Sequence, residues 1–173
     1  PIYTLTLEER KTCPRSCTEW ATCYGNNMHL SQRWKHGPDL ELYMELELRD
    51  LAESHPKGFV VRLHVLGDFY SVAYVRRWHL MMTMFENLHV FGFTARNHPD
   101  GEITMAIAAI NREFPDRWMI RFSDADMPRM AATVIERGER APDGFITCPQ
   151  QTGKPFAARH APCAGIPENP LHS

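Results

Sequence analysis

The sequence predicts an α/β protein: a partial (β/α) barrel, or an open, mostly parallel sheet of about five strands with helices packed outside. Three observations predict it. Short apolar, β-branched runs alternate with longer stretches whose apolar residues recur every three or four positions. That alternation is the pattern of parallel βαβ units joined by right-handed crossovers. The runs at 59–66 and 118–122 are almost continuously apolar, as strands beneath helices are. Five strands are too few for a closed eight-fold barrel.

Each element follows from local chemistry. Residues 2–7 alternate Ile2, Thr4, Thr6 against Tyr3, Leu5, Leu7, a short strand pattern. Cysteines 13, 17 and 23 follow on a loop, and Tyr24-Gly25-Asn26-Asn27 has turn composition. Residues 27–35 are compatible with one or two helical turns. Pro38-Asp39 opens a helix whose Leu40, Tyr43, Met44, Leu48 and Leu51 share a face, with Asp39 and Glu41 at its positive end. Residues 59–66 form the second strand, closed by Gly67-Asp68. Ser71 caps a helix to about residue 85. The unit then repeats: strand 89–95, helix 100–114, strand 118–122, helix 128–138 and a last strand at 144–147 that leads into Cys148. Residues from about 152 read as an irregular tail, and the whole chain, 1–173, as a single domain.

Composition narrows the function. The chain has 173 residues, 43% of them apolar, and a formal net charge of -2, so it has material for a core and no global charge that would draw it to nucleic acid. No apolar run reaches membrane-spanning length. No basic-then-apolar leader opens the sequence. Five cysteines is an odd number, which argues against a secreted disulfide framework and for reduced thiols in a cytoplasm.

In parallel α/β folds, ligands bind beyond the carboxyl ends of the strands. Those ends carry Cys13, Cys17 and Cys23, then His64, Gly67 and Asp68, then Thr94, Arg96 and Asn97, then Arg121, Ser123, Asp124 and Asp126, then Cys148. Three thiols within eleven residues suit a soft metal centre, either an iron–sulfur cluster or zinc. Cys148, followed by Pro149, is a candidate fourth ligand, with Cys163 next to it in rank. His64 reads equally as a core histidine or a functional one.

A cysteine loop after the first strand, with a glycine–acid pair after the second, resembles radical S-adenosylmethionine enzymes. More specifically, Arg62-x-His64-x-x-Gly67-Asp68-Phe69-x-Ser71-x-x-Tyr74-x-x-x-Trp78, with Cys148-Pro149-x-Gln151 later, is similar to the gene-product-eighty-eight family of phage and plasmid proteins. The resemblance implies a [4Fe-4S] cluster on Cys13, Cys17 and Cys23, and S-adenosylmethionine contacted by Gly67, Asp68, Arg96 and Ser123. Three residues separate Cys13 from Cys17, as in that superfamily; five separate Cys17 from Cys23, where its usual motif has two. Two further readings stay open. Cys148 on the fourth iron would make a closed electron-transfer or redox-sensing centre that meets a redox partner. Zinc on the same thiols would make a stabilised binding module. The substrate, small molecule or macromolecule, is not legible.

Overall fold

Each strand pairs in parallel with the strand that precedes it in sequence, giving a five-stranded open sheet in the order β1-β2-β3-β4-β5. The computed structural model describes residues 1–98, 101–124, 130–133, 135 and 139–145. Its elements are β1 (Ile2–Thr4), α1 (Glu9–Thr12), a 3-10 turn (Tyr24–Asn27), α2 (Pro38–Ser54), β2 (Phe59–Leu63), α3 (Val72–Met84), β3 (Leu88–Thr94), α4 (Glu102–Glu113), β4 (Trp118–Ser123) and β5 (Ala131–Ala132). The α/β class and the open parallel sheet are as the sequence predicts.

Local chemistry sets the helix starts. Pro38 stands in the first turn of α2, where its missing N–H costs nothing, and Asp39 and Glu41 follow at the positive end of the dipole. Leu40, Met44 and Leu48, four residues apart, are the buried face. Ser71 caps α3 by accepting the Tyr74 amide at 3.1 Å.

The strands divide their residues by parity. Phe59, Val61 and Leu63 of β2, Val90 of β3, and Trp118, Ile120 and Phe122 of β4 are buried in one core with α2, α3 and Ile107 and Ile110 of α4. Trp118 meets Trp78 and Phe69, each with ring centroids 6.2 Å apart. Trp78, Trp118, Phe59, Phe69 and Phe122 are all under 2% exposed, and burial of each contributes about 2–3 kcal/mol. Right-handed crossovers in a sheet of sequential order put α2, α3 and α4 on one side. Val60, Arg62, Phe91, Phe93, Met119 and Arg121 alternate with the core residues and point to the other side, outside that core. Among the described residues no helix covers them.

Two glycines are dictated by close approach. A Cβ on Gly92 would lie 1.6 Å from the Leu63 carbonyl oxygen, and one on Gly67 (φ +86°) 2.6 Å from Leu7 Cβ.

Several expected elements differ. The fifth strand is Ala131–Ala132, inside the helix expected at 128–138. Alanine favours a helix locally, but the open edge of β4 offers backbone partners: Phe122 N–H donates to Met130 O at 2.8 Å and Asp124 N–H to Ala132 O at 2.9 Å. Of the strand expected at 144–147, Gly144 and Phe145 are non-strand and the rest lies outside the described residues. Regular β1 stops at Thr4 and β2 at Leu63, because the chains diverge into single links: Val65 N–H to Leu5 O and Leu7 N–H to Leu66 O, both 2.9 Å. One helical turn, α1, precedes the cysteines. Residues 28–35 are not helical; Trp34 bridges to Leu7 instead. No described helix is long and apolar enough to cross a membrane.

Candidate functional site

The cysteine loop is strapped across the carboxyl edge of the sheet. At its root, Thr12 Oγ1 accepts the Asp68 amide at 3.2 Å and donates to Glu8 O at 2.8 Å. Arg96 donates from Nη2 to Thr12 O at 2.8 Å and from Nε to Phe69 O at 2.9 Å. Midway, Thr18 Oγ1 donates to Asp124 Oδ2 at 3.2 Å, so the strap reaches the end of β4. Asp124 holds φ +55°, a left-handed conformation for a non-glycine residue. At the far root, Tyr24 OH donates to Val65 O. Arg33 pairs with Glu9 at 2.7 Å and donates to the carbonyls of Gly25, Met28 and Ser31. Arg10 lies over the Trp20 ring, 4.8 Å from its centroid.

Cys13, Cys17 and Cys23 are all free thiols of intermediate exposure. Two of them, Cys13 and Cys17, are shifted by their surroundings. Burial pushes the Cys13 thiol up to about 12, and the negative charges of Asp68, Cys17, Cys23 and Glu9 add to the shift. Cys17 is raised by the same two causes, burial first, then Asp68 and Cys23. Ionising Cys13 and Cys17 together is therefore favoured by a cation beside them. The donor set fits an iron–sulfur cluster or zinc in kind, because thiolates are soft ligands. Among the described residues no group of three or more His, Cys, Asp or Glu is arranged to hold a metal ion. A tetrahedral zinc site would need its sulfurs about 3.8 Å apart. The loop carries the donors without that close-set cage. Cys148 and Cys163 lie outside the described residues, as does Asp126.

No family model, curated protein or solved structure matches the chain.

The four residues expected at the cofactor do gather at the ends of β2, β3 and β4, but most of their polar atoms are occupied. Asp68 is 2% exposed. Its Oδ1 accepts from the Phe69 amide at 2.7 Å and the Thr94 hydroxyl at 2.6 Å; its Oδ2 accepts from the Ala95 amide at 2.8 Å. Burial raises its pKa to about 6 against those hydrogen bonds and the charge of Arg96, which lower it. Gly67 lets Leu7 and Thr12 pack against the turn. The Arg96 guanidinium holds the loop root, and Ser123 O accepts Asn97 Nδ2 at 2.7 Å. Beside them a cleft of about 340 Å³ opens between the loop and α4, lined by Pro14, Ser16, Arg96, Asn97, Gly101 and Thr104.

His64 is a core residue. Its Nε2 lies 3.0 Å from Tyr74 OH, Nδ1 has no partner among the described residues, and burial lowers its pKa to about 3. Met81 and Met82 are fully buried in the core, while Met84 is 43% exposed. Sequence reasoning missed Thr12 and the Glu9–Arg33 pair. Twenty-four positions separate that pair, and nothing in their local sequence marks them.

Proposed function

We propose that the protein binds a [4Fe-4S] cluster through Cys13, Cys17 and Cys23 at the carboxyl edge of a radical-SAM-like partial barrel. The observation that carries this reading is the placement of three free thiols on one strap held to the carboxyl ends of β2, β3 and β4, with burial making the charge of Cys13 and Cys17 costly until a cation joins them. Such a cluster, when bound, supplies one-electron chemistry. The chain's own residues do the holding. Thr12, Arg96 and Thr18 fix the strap to three strand ends. Tyr24 stands near enough to Cys23 and Cys13 for their charges to act on its phenol.

Two readings follow from what completes the centre. S-adenosylmethionine chemistry is supported by the cleft beside Arg96, which leaves room for a small molecule. A closed centre, with Cys148 as fourth ligand and electron transfer or sensing as its task, is supported by Asp68. Its carboxylate is already satisfied by Phe69, Thr94 and Ala95 and would have to break one of those bonds to greet a ligand.

The test is anaerobic purification and reconstitution with iron and sulfide, followed by metal and sulfide analysis and EPR of the reduced protein. About four irons and four sulfides per chain are expected, with most of them lost in Cys13→Ser, Cys17→Ser or Cys23→Ser. Stoichiometric zinc, or iron retained after all three substitutions, would sink the reading. Cys148→Ala then separates the two completions. A cluster that survives it and changes its EPR spectrum with S-adenosylmethionine supports the enzyme; a cluster that is lost supports the closed centre.

A further inference from the structure

Helix α2 is apolar on two sides. Leu40, Met44 and Leu48 face the core. Leu42 and Leu46 each stand two positions after a core residue, which at about 100° per residue turns them to the far side. They are 55% and 48% exposed, and neither belongs to the core. Tyr43, 53% exposed, borders them and sets its ring 6.2 Å from that of the exposed Trp34. A surface helix that packs with one stripe ordinarily carries polar residues opposite it.

The charges on that side run one way. Helix α2 holds six acids against one base, Arg49, in a chain whose formal net charge is only -2. Glu45 pairs with Arg49 and Arg77, and Glu41 accepts from the Tyr70 hydroxyl. Asp39, Asp50 and Glu53 make no ion pair among the described residues. With Leu42 and Leu46 they form a single stripe, because successive members stand three or four residues apart and are neighbours on a helix surface. The stripe runs for about 21 Å, with acids at both ends and leucines in the middle. Glu53 lies in the last turn, where the negative helix end favours Lys or Arg and neither is present. Its charge therefore opposes the helix that carries it, and helix stability does not account for it.

We infer that the outer face of α2 is a docking surface for a basic amphipathic helix of a partner protein. The partner's apolar side chains pack on Leu42, Leu46 and Tyr43, and its Lys or Arg side chains pair with Asp39, Asp50 and Glu53. Charge decides the occupant. A second copy of this chain would set two acidic stripes against each other. Nucleic acid and an anionic lipid surface carry the same sign as the stripe. A helix with an apolar middle and basic ends matches it in both respects, and laying an amphipathic helix by its apolar face on a protein is a recurrent mode of recognition. The inference does not rest on the cluster: the stripe lies on α2, which carries none of the three thiols.

The experiment uses the full chain and fluorescence anisotropy. The probe is a labelled helical peptide of lysine and leucine at heptad spacing. A lysine–alanine peptide of equal charge and a glutamate–leucine peptide are its comparisons. Saturable binding of the lysine–leucine peptide is expected in the micromolar range, at least tenfold tighter than either comparison. Leu42→Gln/Leu46→Gln should weaken it about tenfold and Asp50→Asn/Glu53→Gln about fivefold, the second pair with a flatter dependence on salt. Neither pair should lower the urea midpoint, since all four side chains are exposed. Met105→Gln, a like change at a 52% exposed position of α4, should bind as the parent does. So should Cys13→Ser/Cys17→Ser/Cys23→Ser, which separates failure here from failure of the cluster. No saturable binding, binding that ignores both leucines, or equal binding of the lysine–alanine peptide would overturn the inference. A dimer in sedimentation velocity, or attachment to phosphatidylglycerol vesicles, that the leucine variant abolishes would overturn it too, because the face would then hold another occupant.

Discussion

Asp68 Oδ1 accepts the Thr94 hydroxyl at 2.6 Å, which ties the end of β2 to the end of β3 inside the protein. The acid is buried, and burial lifts its pKa from 3.8 to about 6. Between those values the folded chain keeps a proton that the unfolded chain has released. Its contribution to stability is therefore full below about pH 4 and is lost as the pH rises through about 6. Asp68→Asn lacks this titration. The stability of the parent minus that of Asp68→Asn, from urea unfolding of the metal-free protein at pH 4, 6 and 8, should fall by about 1–3 kcal/mol from pH 4 to 6 and then level off. A difference that instead grows with pH would mean that the Thr94, Ala95 and Phe69 hydrogen bonds outweigh desolvation.

His64 has the opposite sign. Burial lowers its pKa from 6.5 to about 3. Below pH 6.5 the unfolded chain takes up a proton that the folded chain refuses, so stability is lost as the pH falls towards 3. In His64→Gln the loss of stability between pH 6.5 and 4 should be shallower than in the parent, as read by the urea midpoint. An unchanged acid slope would show that His64 is already charged in the fold.

Gly92→Ala should be the more damaging of two glycine changes. Its Cβ would meet the Leu63 carbonyl at 1.6 Å, a backbone atom that cannot swing aside, whereas Gly37 has open space and only a positive φ of +136° to oppose a side chain. The expected costs are about 3 kcal/mol or more for Gly92→Ala and about 1–2 kcal/mol for Gly37→Ala. Thermal unfolding of both variants checks the order.

Arg33→Ala should loosen the strap without touching a thiol. It removes the partner of a nearly buried Glu9 and the donors to three carbonyls. A loss of about 2–3 kcal/mol is expected. In the metal-free protein the cysteines should react faster with a disulfide reagent at pH 8, while Arg33→Lys should restore part of the protection. Equal thiol reactivity in all three proteins would remove Arg33 from the design of the loop.

The parallel sheet was legible because its strand–helix period is written in each segment's own residues. Helix α2 declared itself through Pro38 and the Leu40–Met44–Leu48 spacing, and α3 through Ser71. The Ala131–Ala132 strand was not legible, because a two-residue pairing is decided by the edge of β4 and not by alanine. Gly92 looked like any strand glycine, since its constraint comes from a carbonyl 29 positions earlier. The site was half legible. Cysteine spacing and strand ends pointed to the carboxyl edge of the sheet, and the fold gathers Arg96, Ser123, Gly67 and Asp68 there. That Asp68 is spent on Thr94 and Ala95 emerges only when two loops are brought together.

The strap has a consequence for biosynthesis. Its anchors are met late: Thr12 waits for Asp68 and Arg96, and Thr18 waits for Asp124. Cys13, Cys17 and Cys23 leave the ribosome before Asp68, Arg96 and Asp124, the residues that tie their strap down. Until residue 124 has emerged, these sulfurs lack part of their tethering and stand open to oxidants and to metal ions.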